Sequence, residues 1–210
     1  MGGDLVRNVR RLAADDRISK IIDYRVKEFL KTREEGLDRV FIELSFCILT
    51  ANYRADKSIY IQRRIWRGFL EYPYDILSIR LRELGYRYPY TRAKYIVEAR
   101  DKLDIIGKII YSDLSRFKMR ELLSKHIRGI GYKEASHFLR NIGYFDLAIL
   151  DRHILRLLRQ YSYISDIPRL DKRIYNRIEQ IVINIADEVG IMPGILDLYL
   201  WYMMTGRILK

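Results

Sequence analysis

The sequence predicts an all-α protein of roughly ten helices. Three observations carry this. Apolar residues recur at spacings of three and four along most of the chain, glycines and prolines fall between the periodic stretches, and no stretch shows strand-like alternation. The first periodic stretch is ISKIIDYRVKEFL, with Ile18, Ile21, Ile22, Val26, Phe29 and Leu30 on one face. Val40, Phe41, Leu44, Ile48 and Leu49 mark the next. Ile59, Ile65, Phe69 and Leu70 follow, on a helix that also carries Lys57, Arg63, Arg64 and Arg67. Pro73 and Gly85 bracket a short helix around DILSIRLREL, and Tyr95, Ile96, Ala99, Leu103 and Ile106 predict a long one. Further helices are expected over 116–126, 132–141, 152–161, 172–189 and 194–208, with breaks at Gly107, Gly129, Gly143, Pro168 and the GIMPG turn.

Composition narrows the class of partner. The chain has 210 residues, 49% hydrophobic and 31% charged, which fits a folded rather than a disordered protein. Lys and Arg number 39 against 27 Asp and Glu, a formal charge of +12. Such an excess favours nucleic acid or an anionic membrane surface. Cys47 is the one cysteine, inside the apolar run FIELSFCILT, so it reads as a small buried hydrophobe. An intramolecular disulfide and a cysteine-ligated cluster are excluded, and a reducing, intracellular setting fits. The first residues contain no signal-peptide pattern, and no run has the length of a spanning helix. Glutamine and asparagine are scarce while Ile, Arg and Tyr are plentiful, a composition that leans towards a thermophilic source.

The stretch GIGYKEASHFLRNIG, from Gly129 to Gly143, is the most informative. Leu122, Leu123 and Ile127 form the apolar face of one helix, and Ala135, Phe138, Leu139 and Ile142 that of the next. Between them RGIG predicts a helix–hairpin–helix, with Ile130 turned inward to pin the turn. Gly129 and Gly131 permit positive φ and let a backbone approach closely. The first-turn N–H groups of the second helix then form a site for a phosphate oxygen, which grips nucleic acid without reading its sequence. An ordinary αα-turn carries the same glycines.

Lys133 falls in the first turn of that second helix, where the dipole disfavours a cation and a neutral amine would be a nucleophile. A solvated lysine touching a phosphate is the plainer alternative. Downstream, in AILDRHILRLL, Asp151 reads as an N-cap, with Arg152 and His153 in the first turn within reach of phosphate. His126 and His137 have no partners at metal-ligand spacing.

The combination of G-I-G-Y-K, eighteen residues from Lys133 to Asp151, and D-R-H-I-L-R resembles the helix–hairpin–helix/Gly-Pro-Asp superfamily of DNA glycosylases. ILTANYRAD, from Ile48 to Asp56, is similar to that family's first conserved helix and the loop after it, so the resemblance runs from about Leu37 onward. The four-cysteine iron–sulfur loop of many relatives is absent. The chain instead ends in WYMMTGRILK, most similar to the type-2 8-oxoguanine DNA glycosylases of archaea and bacteria.

The resemblance implies two helical lobes with a cleft between them. One spans 35–145 and ends in the hairpin at about 120–142, and the other joins 1–34 to 146–210. It implies base excision repair of double-stranded DNA containing 8-oxoguanine, by a monomer without metal or other cofactor. Lys133 matches the nucleophile that attacks C1′ and forms a Schiff base. Asp151 matches the carboxylate that stabilises the sugar cation as the base leaves. Asn52 matches the side chain inserted opposite the estranged base, with Tyr53 and Arg54 beside it at the DNA bend. Gly129, Gly131 and His153 would contact the backbone.

For the base pocket, Asp197 and Trp201 lie four apart on one helix face. A carboxylate accepts from guanine N1–H and N2–H together, and an indole face stacks on the extruded purine. Lys210 matches the family's C-terminal lysine, and Tyr88 is a candidate second aromatic wall. Two alternatives stay open: a glycosylase of this fold for another oxidised or mismatched base, and a non-catalytic hairpin module that binds DNA structures.

Overall fold

A computed structural model describes residues 3–210 and contains thirteen α-helices among them. They form two compact units. Unit 1 takes the residues up to Leu30 together with Gly143–Lys210, and unit 2 is Lys31–Ile142. The chain crosses between the units within α2 (Asp16–Glu34) and again after Ile142. Among the described residues no helix is long and apolar enough to cross a membrane.

Unit 2 is organised on α3 (Leu37–Thr50). Every residue of α3 from Val40 to Thr50 is buried, including the free thiol of Cys47. A helix apolar on all sides has to be surrounded, and α4 (Ala55–Ile65), α5 (Gly68–Glu71), α7 (Pro89–Arg100), α8 (Leu103–Ile110) and α10 (Tyr132–Asn141) all pack on it. α6 (Tyr74–Glu83) packs on α7, and α9 (Arg116–His126) packs on α8 and α10.

Two expectations for this region need correction. The single long helix over Tyr95–Ile106 is two helices, because α7 ends at Arg100 and α8 starts at Leu103. Gly107 does not break the chain but lies inside α8. A Cβ there would sit 3.3 Å from Leu37 Cδ2, so the glycine serves the close packing of α8 on α3.

Glu43 is the polar hub of this core and is 1% exposed. It accepts from Asn141 Nδ2 at 2.7 Å and from Gln62 Nε2 at 3.0 Å, and Arg39 lies 3.6 Å away. A buried carboxylate is tolerable only when so satisfied. Glu43 thereby ties α3 to α4 and to the C-terminal end of α10.

Unit 1 contains α1 (Gly3–Ala13), which the periodicity did not single out, together with α11 (Arg152–Gln160), α12 (Lys172–Val189) and α13 (Pro193–Thr205). α1 buries Leu5, Val6 and Val9 and packs on α12 and α13. Arg10 donates to the carbonyl of Glu188, and Asn8 Nδ2 to Tyr161 Oη at 2.9 Å. α12 ends at Gly190, which has φ +86, as the glycine of the GIMPG turn suggests.

The stretch from Tyr144 to Leu150 is buried apart from Asp146, yet forms no helix. Its backbone groups are met by side chains of α12. Ala148 N donates to Glu179 Oε1 at 3.1 Å, Tyr175 Oη donates to Ala148 O at 2.9 Å, and Leu150 N donates to Tyr175 Oη at 3.4 Å.

Removing the Glu43 carboxylate takes its buried acceptor from Asn141 Nδ2 and one of the two acceptors from Gln62 Nε2. Glu43→Ala should lower the unfolding free energy by about 3 kcal/mol or more, measured by urea titration.

Candidate active site

The hairpin is built as the apolar spacing requires. α9 ends at His126, Ile127 caps it, and α10 begins at Tyr132 with Gly131 as N-cap. Ile130 is 4% exposed and pins the turn from inside. The two glycines do different work. Gly129 has φ +85, and a Cβ on it would lie 2.5 Å from Tyr95 Cδ2. Gly131 has φ −92, which any residue adopts, and a Cβ on it would lie 3.2 Å from Glu134 Oε2.

Lys133 lies in the first turn of α10, half-buried, with Nζ 2.9 Å from Glu134 Oε1. Glu134 was not singled out from sequence. A signal existed: an acid three residues after a helix N-cap is placed to fold back over the helix start.

Arg120 of α9, 2% exposed, crosses to α10. Its guanidinium lies 4.7 Å from the ring centroid of Tyr132 and 5.5 Å from that of Phe117, and it donates to Ser136 Oγ at 3.3 Å. It therefore steadies the start of α10 from below. Nothing local in the sequence marks a buried arginine for that role.

The corner between α3 and α4 carries Asn52 and Arg54. Asn52 is exposed and left-handed, at φ +57, a conformation that asparagine tolerates better than most residues. The backbone on its two sides is pinned. Tyr86 Oη donates to Leu49 O at 2.7 Å, Arg92 Nη2 donates to Ala51 O at 3.0 Å, and Tyr53 Oη donates to Gly85 O at 3.1 Å. Burial pushes the Tyr86 hydroxyl up to about 12, so it remains a donor at any ordinary pH.

Arg54 is exposed and forked onto Asp56, with Nε and Nη2 at 3.0 and 2.6 Å from its carboxylate oxygens. Hydrogen bonding within the pair holds the arginine above its ordinary range and the carboxyl below it. Tyr88 is the N-cap of α7, with Arg87 at 5.0 Å and Arg92 at 5.9 Å from its ring centroid.

Arg92 also lies 5.4 Å from the ring of Tyr95, and Arg128 of the hairpin turn lies 4.9 Å from the same ring. Unit 2 thus connects Asn52, Tyr88 and Gly129 through Arg92 and Tyr95. Neither connector is visible in the sequence, because 41 residues separate Arg92 from Ala51.

Unit 1 brings together Asp151, His153 and Trp201. Asp151 is the N-cap of α11, and its Oδ1 accepts from His153 N at 2.8 Å and Ile154 N at 2.9 Å. Its Oδ2 accepts from Trp201 Nε1 at 3.1 Å. Both carboxylate oxygens are therefore held in place. The His153 ring meets the Trp201 ring edge-on, with centroids 5.6 Å apart. Trp201 accordingly has a task beyond the stacking expected of it: its edge orients the carboxylate.

Asp197 is 6% exposed on α13, one turn before Trp201, and Lys210 is half-buried. Glu179 and Tyr175, which hold the backbone just before Asp151, were not foreseen either, since nothing local marks residues so distant in the chain.

An all-α architecture with a glycine-turned hairpin, a lysine at the start of its second helix and an aspartate capping the next helix defines a helix–hairpin–helix protein. A family model described as 8-oxoguanine DNA glycosylase matches residues 22–191, and the chain belongs to that family. The chain is 46% identical over 207 residues to an 8-oxoguanine DNA glycosylase/AP lyase of Methanocaldococcus jannaschii, covering 98% of this chain and 99% of the relative. A relative of the same description from Thermotoga petrophila is 42% identical, with 99% of each chain covered. Among solved structures, the M. jannaschii glycosylase/lyase in complex with a 15mer DNA containing 8-oxoguanine superposes with a TM-score of 0.94 at 45% identity, covering 98% of this chain and 99% of that one.

Gly129→Ala places a methyl group in the Tyr95 ring at a left-handed position, and should cost more than about 1 kcal/mol in thermal or urea unfolding. Trp201→Phe keeps an aromatic face but removes the donor to Asp151, and should cost about 1.5 kcal/mol by the same measurement.

Proposed function

We propose that this chain is a DNA glycosylase with AP lyase activity that excises 8-oxoguanine from double-stranded DNA. The observation that carries the activity is its similarity, over nearly its full length, to relatives of that description. The site geometry supports the assignment of roles.

The hairpin turn at Gly129–Gly131 and the start of α10 take the DNA backbone, with His153 as a further phosphate contact from α11. The base leaves the stack, because C1′ is inaccessible within it. Asn52, exposed on its pinned corner, fills the gap, and Arg54 lies beside it at the bend. Asp197 accepts from the guanine edge, the face of Trp201 stacks on the purine, and Lys210 and Tyr88 complete the recognition set. The carboxylate excludes adenine, whose N1 is itself an acceptor.

As the N-glycosidic bond breaks, its electron pair leaves with the base and positive charge develops on the sugar. Asp151, fixed on both oxygens, opposes that charge without having to reorient. The amine of Lys133 attacks C1′, and as the sugar ring opens one amine proton passes to O4′, leaving a protonated Schiff base. That cation acidifies C2′–H. Removal of the C2′ proton expels the 3′ phosphate and nicks the strand. The reaction takes place on cellular DNA, which puts the protein inside the cell.

Incubation with an 8-oxoguanine duplex, scored for free base and for nicks, tests the activity. Borohydride should crosslink the wild type to this DNA and leave Lys133→Gln uncrosslinked; equal crosslinking would refute the nucleophile. Asp151→Asn should slow base release by about 10²–10³-fold in single-turnover assays. A panel of lesion duplexes separates 8-oxoguanine from other oxidised bases. Salt-sensitive binding with no release or nicking would instead identify a non-catalytic DNA-binding module.

A further inference from the structure

Asn52 has a task that its own corner does not secure. It is exposed and left-handed, at φ +57, on a short link between α3 and α4. A side chain that enters a DNA stack needs a backbone that does not give way. The groups that hold this backbone come largely from outside the link.

Carbonyls at the C-terminal end of a helix have no helical N–H beyond them to accept from. At the end of α3, Cys47 O accepts from Thr50 Oγ1 at 2.8 Å, Leu49 O from Tyr86 Oη at 2.7 Å, Thr50 O from Tyr53 N at 3.1 Å and Ala51 O from Arg92 Nη2 at 3.0 Å. The last of these bonds is the one next to Asn52. Its donor is a cation at the negative end of the α3 dipole, where a positive charge is favoured.

Arg92 is not displayed as a free surface cation. It is half-buried, and its Nε is buried without a hydrogen-bond partner. Its guanidinium lies 5.4 Å from the ring centroid of Tyr95 and 5.9 Å from that of Tyr88. A planar guanidinium stacks on aromatic rings while its N–H groups still bond, so one residue can seat itself and hold a carbonyl together.

Arg92, Tyr95 and Glu98 follow at intervals of three on one face of α7. Arg92 holds the corner. The ring of Tyr95 closes on Gly129 and receives Arg128 of the hairpin turn at 4.9 Å from its centroid. Glu98 pairs with the same Arg128 at 3.5 Å. Just beyond α7, Lys102 Nζ donates at 2.7 Å to the carbonyl of His126, where α9 ends. At 1.5 Å per residue the stripe from Arg92 to Glu98 covers about 9 Å of helix. One face of α7 is thus a spacer, with the corner at one end and the hairpin turn at the other.

Base extrusion needs such a spacer. A hairpin grips the DNA backbone without regard to sequence, and the vacated place in the stack has to be filled. The grip at the turn is enough for affinity. Unstacking needs the grip and the inserted side chain at a fixed separation, because small errors of placement are costly in rate.

We propose that Arg92, seated on Tyr95, is the positioning residue for Asn52: it ties the corner to the hairpin turn, so that DNA gripped at the turn meets the inserted side chain at a set distance. It acts through the carbonyl of Ala51 and touches neither base nor phosphate. This rests on the reading of Asn52 as the inserted residue.

Four variants of the full chain test it: Arg92→Met, Tyr95→Leu, Tyr95→Phe and Asn52→Ala. The substrate is an 8-oxoguanine duplex with 2-aminopurine beside the lesion, which brightens as stacking is lost. In single turnovers Arg92→Met should slow brightening and base release by about tenfold. Tyr95→Leu should slow both by about fivefold, while Tyr95→Phe, which keeps the ring face, should stay within about twofold of the wild type. Asn52→Ala should itself be slow. On that background Arg92→Met and Tyr95→Leu should each change the rates by less than about twofold, because the side chain being positioned is gone. Binding of Arg92→Met to undamaged duplex should keep the salt dependence of the wild type, since no phosphate contact is lost.

Losses that add in the double variants overturn the positioning role. So does a slope of log affinity against log salt reduced by about 0.9 in Arg92→Met, which marks a direct phosphate contact. So does a Tyr95→Leu protein as fast as the wild type. An Asn52→Ala protein as fast as the wild type overturns Asn52 as the inserted residue, and the role of Arg92 with it. Thermal melts show which variants are folded at the assay temperature. If Arg92→Met is not, Tyr95→Leu and Tyr95→Phe on both backgrounds read the same link.

Discussion

The ring of Tyr95 against the backbone of Gly129 is the constraint on which unit 2 turns. A Cβ on that glycine would lie 2.5 Å from the ring, and the left-handed φ of +85 independently disfavours one. Only a glycine lets the chain leave α9, bury Ile130 and re-enter a helix at Tyr132 within five residues. That sharp re-entry sets Lys133 in a first helical turn rather than further along, and everything proposed for its chemistry follows from the placement. The same ring receives Arg92 from one side of the chain and Arg128 from the other. Because Arg92 also holds Ala51 O, the turn and the corner bearing Asn52 share a support.

Carboxylates in this protein show how environment assigns a role to a common group. Glu43 and Glu179 are each 1% exposed and are spent on structure, one bracing the far end of α10 and the other the buried stretch before Asp151. Asp151 is held by two backbone N–H groups and an indole N–H, so it stays oriented while remaining half-exposed. Glu134 pairs with the neighbouring Lys133 at the start of α10 and is partly exposed. The core carboxylates brace the segments that carry Lys133 and Asp151, each within its own unit.

The arginines are similarly divided. Arg120 is buried beneath Tyr132 and works as a strut, and Arg92 links two loops. Arg54 is exposed, and its partner Asp56 keeps it aimed from the corner. A net charge of +12 favours a polyanionic partner at long range, while these local attachments fix how the individual cations are presented.

The sequence by itself determined what depends on near neighbours. Apolar periodicity places α9, α10 and α12 at their observed bounds, Asp151 caps α11 as its position suggests, and Ile130 is buried between its glycines. A helix face, a cap and a tight turn are settled over three or four residues, so the chain order is enough. It was not enough for the break between α7 and α8, for Gly107 inside a helix, or for α1. Tertiary structure alone decided that Trp201, fifty residues on, turns its N–H to Asp151, that Tyr95 closes on Gly129, and that Glu43 reaches Asn141 across 98 residues. Such contacts carry no local signature, since their energy is gained only when packing has already brought distant helices together and excluded the water that would otherwise satisfy the same groups.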